Sequence, residues 1–124
     1  MYARQAFLRA AWAPLTVLTV SLVAAGQFDL YRRVQWLDIP MHFVGGIALA
    51  YFFRAFGFRR RICFALAVAG AVAWEWSEAL ADAWLGAQLT HGTADLLRDL
   101  LFSALGAACY VAVSALLGER YRAR

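Results

Sequence analysis

Charge is scarce in this chain, and lysine is missing altogether. Only 16% of the 124 residues are charged, all twelve basic ones are arginine, and 64% of the chain is hydrophobic. That much apolar surface exceeds what a soluble core of this size can bury, which excludes an ordinary soluble domain. The net charge of +4 does not indicate nucleic acid, because the arginines sit between apolar runs rather than along one exposed face. Cysteine is almost absent. Cys63 and Cys109 stand alone in apolar segments without a C-x-x-C or a neighbouring histidine, which excludes a disulfide framework and a zinc knuckle; both read as small buried hydrophobes. Internal repeats and low-complexity linkers are lacking, and there is no room for a second domain.

What the chain does have is apolar runs. At about 20 residues per crossing, four crossings use roughly 80 residues and leave only short loops and tails. The expectation is an all-α polytopic membrane protein, a single integral membrane domain of four transmembrane helices near 10–28, 37–58, 62–85 and 93–117. The first run could also be a secretory signal, but it is long for one and no exported domain follows it. Pro40 falls in the first turn of the second run, where its missing N–H costs nothing, and Arg59, Arg60 and Arg61 stop that run. Gly86 is placed to terminate the third helix and Thr93 to cap the fourth.

The arginines also orient the bundle. Arg4, Arg9, Arg54, Arg59, Arg60, Arg61, Arg120, Arg122 and Arg124 fall on one side, against Arg32 and Arg33 on the other. This asymmetry predicts cytoplasmic termini, with the loops 29–36 and 86–92 outside. Trp12, Trp36 and Trp84 fall near predicted helix ends, where indoles favour the headgroup level.

Six of the eight acids lie within or at the edge of these helices: Asp38, Glu75, Glu78, Asp82, Asp95 and Asp99. An ionised side chain at a helix centre costs about 2.5 to 3.5 kcal/mol on insertion scales, so repeated acids require partners or a wet cavity. Helical geometry groups them. Glu75 and Glu78 lie about 60° apart with Asp82 between them, and Asp38/His42 and Asp95/Asp99 are i,i+4 pairs. In the up-and-down arrangement His42, Glu78 and Asp99 reach a common depth, about 7 to 11 Å inside their helix ends. Six ionised acids against Arg98 leave −5, which protons, a metal or a cationic ligand must offset.

Each of these residues also has an ordinary reading. Asp38 and Asp95 complement helix N-termini, Asp82 is near enough to the end to be solvated, and His91 reads as a loop residue. Arg98 is either a snorkelling side chain or an internal counter-ion. Gly45, Gly46, Gly70, Ser103, Gly106 and Ala107 read as small residues that let helices two to four approach closely. Phe43, Tyr51, Phe52, Phe53 and Phe56 read as packing or lipid-facing groups.

The string Asp38-Ile-Pro-Met-His42-Phe-Val-Gly-Gly46, followed by Trp74-Glu75-Trp-Ser-Glu78 and Thr93-Ala-Asp95-Leu-Leu-Arg-Asp99-Leu, resembles the YjdF-type small polytopic bacterial proteins. More distantly it resembles the VanZ-like family, whose members are linked to glycopeptide resistance. The resemblance runs from about residue 36 to 110 and implies an inner-membrane helical bundle. Arg98 stands where an apolar or variable position is expected, so a shared ligand set is not implied.

Carboxylates with one histidine suit a divalent ion such as Mg²⁺, Mn²⁺, Fe²⁺ or Zn²⁺. The expected metal ligands are Asp38, His42, Glu78, Asp95 and Asp99. Glu75 and Glu78 are the candidates for proton handling, and Arg98 for holding a phosphate of a lipid or cell-envelope precursor. Membrane lipid is thus the expected partner and nucleic acid is not; a homo-oligomer is compatible with the sequence. Two other classes remain: a proton or cation relay, and a non-enzymatic envelope or lipid-binding protein. The inner halves of helices two to four carry no matching acids, which counts against the relay.

Overall fold

The computed structural model describes residues 2–26, 34–86 and 92–122. Asp29, Arg32, Arg33, His91 and Arg124 lie outside them. The fold is all-α: α1 spans Tyr2–Gly26, α2 Asp38–Ala55, α3 Arg60–Leu85 and α4 Thr93–Arg122, with a short 3₁₀ turn, Gln35–Leu37, leading into α2.

Helix ends follow local chemistry, and several differ from the expectation. α1 begins at Tyr2 rather than near residue 10, since the start of an apolar run marks a change of solvent and Ala, Arg, Gln and Leu continue a helix equally well in water. Pro14 sits inside α1, where it removes one helical hydrogen bond. α2 ends at Ala55, three residues early, because the chain turns through Gly57 at φ +83°. Arg59, Arg60 and Arg61 therefore do not stop that helix: Arg59 is the N-cap of α3, and Arg60 and Arg61 form its first turn. Gly86 does terminate α3, at φ +62° with its N–H on the Asp82 carbonyl. Thr93 is the first residue of α4 rather than its cap; the Gly92 carbonyl accepts the Leu96 N–H.

α2 is the central helix and packs against the other three, most extensively against α4. Two glycines make that seam. A methyl group on Gly46 would overlap the Ser103 carbonyl, and one on Gly106 would overlap the Phe43 carbonyl, so the two backbones touch reciprocally. Gly45 faces Val17 of α1 instead, and Gly70 faces Leu49.

The interior consists of small side chains. Ala48, Ala50, Ala67, Ala71, Ala107 and Cys63 are buried, whereas Leu101, Leu105, Val113, Leu116 and Trp76 are exposed. Large apolar groups outside and small ones inside reverse the soluble pattern and fit a hydrocarbon solvent. α3 and the Thr93–Gly118 part of α4 are each long and apolar enough to cross a bilayer, and α1 carries a shorter apolar stretch, Phe7–Val23. Cys109 is exposed on the outer face of α4, contrary to expectation, while buried Cys63 donates to the Phe58 carbonyl at 3.4 Å.

Chain direction gives the bundle two unlike ends. Arg4, Arg9, Arg54, Arg59 and Arg61 are exposed at one. The starts of α2 and α4 and the end of α3 meet at the other, together with the intramembrane acids. Trp36 and Trp84 are largely exposed at that acidic end, whereas Trp12, in the third turn of the longer α1, pairs edge-on with Tyr51. Tyr51 also meets Tyr110, and Phe52 packs with Phe7, Phe53 and Phe56.

Candidate functional site

His42 is the hub of the acidic end. One turn into α2, it is held at fixed depth by the Gly46–Gly106 seam beneath it. Its Nε2 lies 3.3 Å from Asp38 Oδ1, the i,i+4 partner on the same helix face, and 3.8 Å from Asp99 Oδ2 of α4. Its Nδ1 lies 3.8 Å from Glu75 Oε1 of α3 and 3.4 Å from the Ser103 hydroxyl. Three helices thus converge on one imidazole. Glu75, Asp99 and Ser103 are all buried, at 7%, 4% and 5% exposure, so their polar atoms depend on one another rather than on bulk water.

Arg98 joins the same network from the next position on α4. Its guanidinium bonds Asp95, lies 3.6 Å from Asp38 Oδ2, and donates from Nη2 to Asp99 Oδ1 at 3.5 Å, while its Nε, 3.4 Å from the same oxygen, is off hydrogen-bond alignment. With three carboxylates around it, Arg98 is a counter-ion in this structure, and holding a phosphate would require exchanging partners.

Asp38, His42 and Asp99 each offer one ligand atom, all within 4.8 Å of one another. Tetrahedral ligands about 2.0 to 2.2 Å from a divalent ion stand about 3.3 to 3.6 Å from one another; the two His42 pairs, at 3.3 and 3.8 Å, are near that spacing, and the set as a whole would close by up to about an ångström to hold an ion. The two faces of the ring are also unlike: Nε2 looks at the carboxylates of the triad, while Nδ1 looks at Glu75 and Ser103. A neutral ring with its proton on Nδ1 donates to Ser103 Oγ and leaves Nε2 free as a ligand.

Of the other expected ligands, Asp95 is tied to Arg98. Glu78 lines the wall of the adjoining cavity rather than the triad, and Asp82 lies one turn beyond it. That cavity, about 1140 Å³, opens between α1 and α3 over the face of α2.

The family described as "Predicted membrane protein (DUF2238)" matches residues 2–120. The chain belongs to this family. The match bears out the resemblance to YjdF-type proteins, whose family this is; the VanZ-like resemblance has no such finding behind it. No curated protein and no solved structure matches.

One member of the network in this DUF2238 protein escapes a reading of the sequence. Ser103 reads as a small packing residue, yet its hydroxyl orients His42. A signal was present: Asp95, Asp99 and Ser103 follow one another at i,i+4, so Ser103 extends the acidic stripe by a turn.

Proposed function

We propose that this DUF2238 protein crosses the bacterial inner membrane four times with cytoplasmic termini. In this reading it binds a divalent metal ion through Asp38, His42 and Asp99 at the outer leaflet, where it acts on a lipid or cell-envelope precursor. The observation that carries the reading is the two-sided environment of His42. A histidine whose one nitrogen meets two carboxylates from different helices, and whose other nitrogen meets Glu75 and Ser103, has the surroundings of an oriented metal ligand. The arginine asymmetry supports the orientation.

When bound, the ion would supply Lewis-acid polarisation of a phosphoryl or carbonyl oxygen. The residues do the rest. Glu75 and Ser103 hold the ring, Arg98 keeps Asp38, Asp95 and Asp99 from mutual repulsion, and Glu78, on the cavity wall, is the base that faces an incoming substrate. The relay reading is disfavoured by the bundle's middle, where the buried cluster is Ala50, Ala67 and Ala107 packed by Leu49 and Tyr110 rather than a file of carboxylates.

A metal inventory of detergent-purified protein tests this. The expected result is about one divalent ion per chain and a rise in melting temperature on adding Mg²⁺, Mn²⁺ or Zn²⁺ to chelated protein, because the ion binds only the folded bundle. No retained metal and no stabilisation would reject the metal site.

A further inference from the structure

The cavity beside the triad is larger than the site needs, and its shape is specific. On α2 it runs from Asp38 to Leu49, eleven residues or about 16 Å, which is half of a hydrocarbon core about 30 Å thick. Its deep walls are apolar: Pro14, Val17 and Leu18 on one side, Gly70 and Ala71 on the other, with Leu49 against Gly70 closing the bottom. Its upper end is polar, with Trp74, Glu78, Asp99 and the first residues of α4. Among the described residues α1 packs substantially on α2 alone, so the groove is open sideways between α1 and α3. An apolar groove one leaflet deep that opens to hydrocarbon takes up an acyl chain.

We propose that this groove holds one acyl chain of a membrane phospholipid with an ammonium headgroup, drawn from the leaflet at the acidic end. Charge selects the headgroup. Among the described residues, Asp38, Glu75, Glu78, Asp95 and Asp99 line the cavity and no arginine does, which disfavours anionic lipids and favours an ammonium. Glu78 and the half-buried Trp74 supply the carboxylate and the aromatic face for it. The lipid phosphate then meets the N-terminal turn of α4 at Gly92 and Thr93. This deepens the lipid part of the proposed function and does not depend on the metal.

The test uses full-length protein in nanodiscs doped with phosphatidylethanolamine or phosphatidylglycerol carrying a photoreactive acyl chain, with and without chelator. The expected result is adducts concentrated on Val17, Leu18 and Leu49 over the exposed Leu101 and Val113, and about fivefold more with the ethanolamine lipid. Glu78→Gln, checked for folding by its melting curve, should reduce that preference while leaving the adduct positions unchanged. Uniform labelling of groove and outer face overturns the groove, and equal labelling by the two lipids overturns the headgroup assignment. Groove labelling that persists in metal-free protein supports this inference even if the metal reading fails, and uniform labelling in metal-loaded protein sinks this inference alone.

Discussion

At the arginine-rich end Arg59 and Arg61 stand exposed, and Arg54 and Arg60 donate to the backbone carbonyls of Phe58 and Ser114 at 2.9 and 3.0 Å. At the acidic end Arg98 lies among Asp38, Asp95 and Asp99, and His42 among Asp38, Glu75 and Asp99. The first set is of one sign and, apart from Arg60, whose guanidinium packs half-buried against α4, it is exposed, so solvent and salt reduce each of those charges to a small contribution. The second set mixes signs on three helices and is largely buried, where removing one member strands the others. The difference separates charge spread over an exposed end from charge gathered into a buried network. Between the two lies the glycine and alanine seam, which carries no charge and fixes the registry of the acidic end.

The seam should be the most sensitive place. Gly106→Leu forces a side chain into the Phe43 carbonyl and is expected to cost about 3 kcal/mol or more, seen as loss of a cooperative melt in detergent. Gly45→Ala, one residue from Gly46, adds a methyl at an ordinary 3.8 Å from Val17 and should change stability by less than about 0.5 kcal/mol. A similar loss in both would mean that α2 and α4 do not meet through their backbones.

Asp99→Asn comes next. It removes a buried carboxylate shared by His42 and Arg98, and should lower divalent-metal affinity by at least about tenfold and the melting temperature along with it, measured by competition with a metallochromic chelator. Ser103→Ala keeps the volume and removes only the hydroxyl facing Nδ1. It should weaken the metal by up to about tenfold while leaving the apo protein's melt nearly unchanged. Arg59→Gln, at the opposite end, should change neither metal binding nor stability by more than about 0.5 kcal/mol.

Orientation sharpens the same contrast. In a Cys63→Ala/Cys109→Ala background, a cysteine replacing exposed Ala94 should react with an impermeant thiol reagent in intact cells, and one replacing exposed Ala55 should not. The reverse pattern would move the site to the cytoplasmic leaflet.

Much of this arrangement was legible in the sequence. Hydropathy located α3 and α4 to within a few residues, and the i,i+4 spacing paired Asp38 with His42 and Asp95 with Asp99, but common depth joined Glu78 to His42 and Asp99, whereas the structure groups Asp38, His42 and Asp99 and leaves Glu78 on the cavity wall. What could not be read was rotation. Glu75 and Glu78 share a stripe, so spacing alone cannot say which of them faces His42. That choice depends on how α3 turns against α2 and α4, through contacts such as Gly70 with Leu49. The role of Ser103 was hidden for the same reason, since a small residue at a helix crossing has two readings until the crossing is known. The groove was invisible because it arises where, among the described residues, α1 and α3 pack little against each other, and no local pattern records a weak contact.

The central claim is that one imidazole, His42, sits at the metal site with Nε2 as ligand. The most direct measurement is pulsed electron paramagnetic resonance of chelated, purified protein reloaded with one equivalent of Mn²⁺. The account predicts a single directly bound ¹⁴N coupling that disappears in His42→Gln. Bound Mn²⁺ with no nitrogen coupling, or with a coupling that survives His42→Gln, would contradict it.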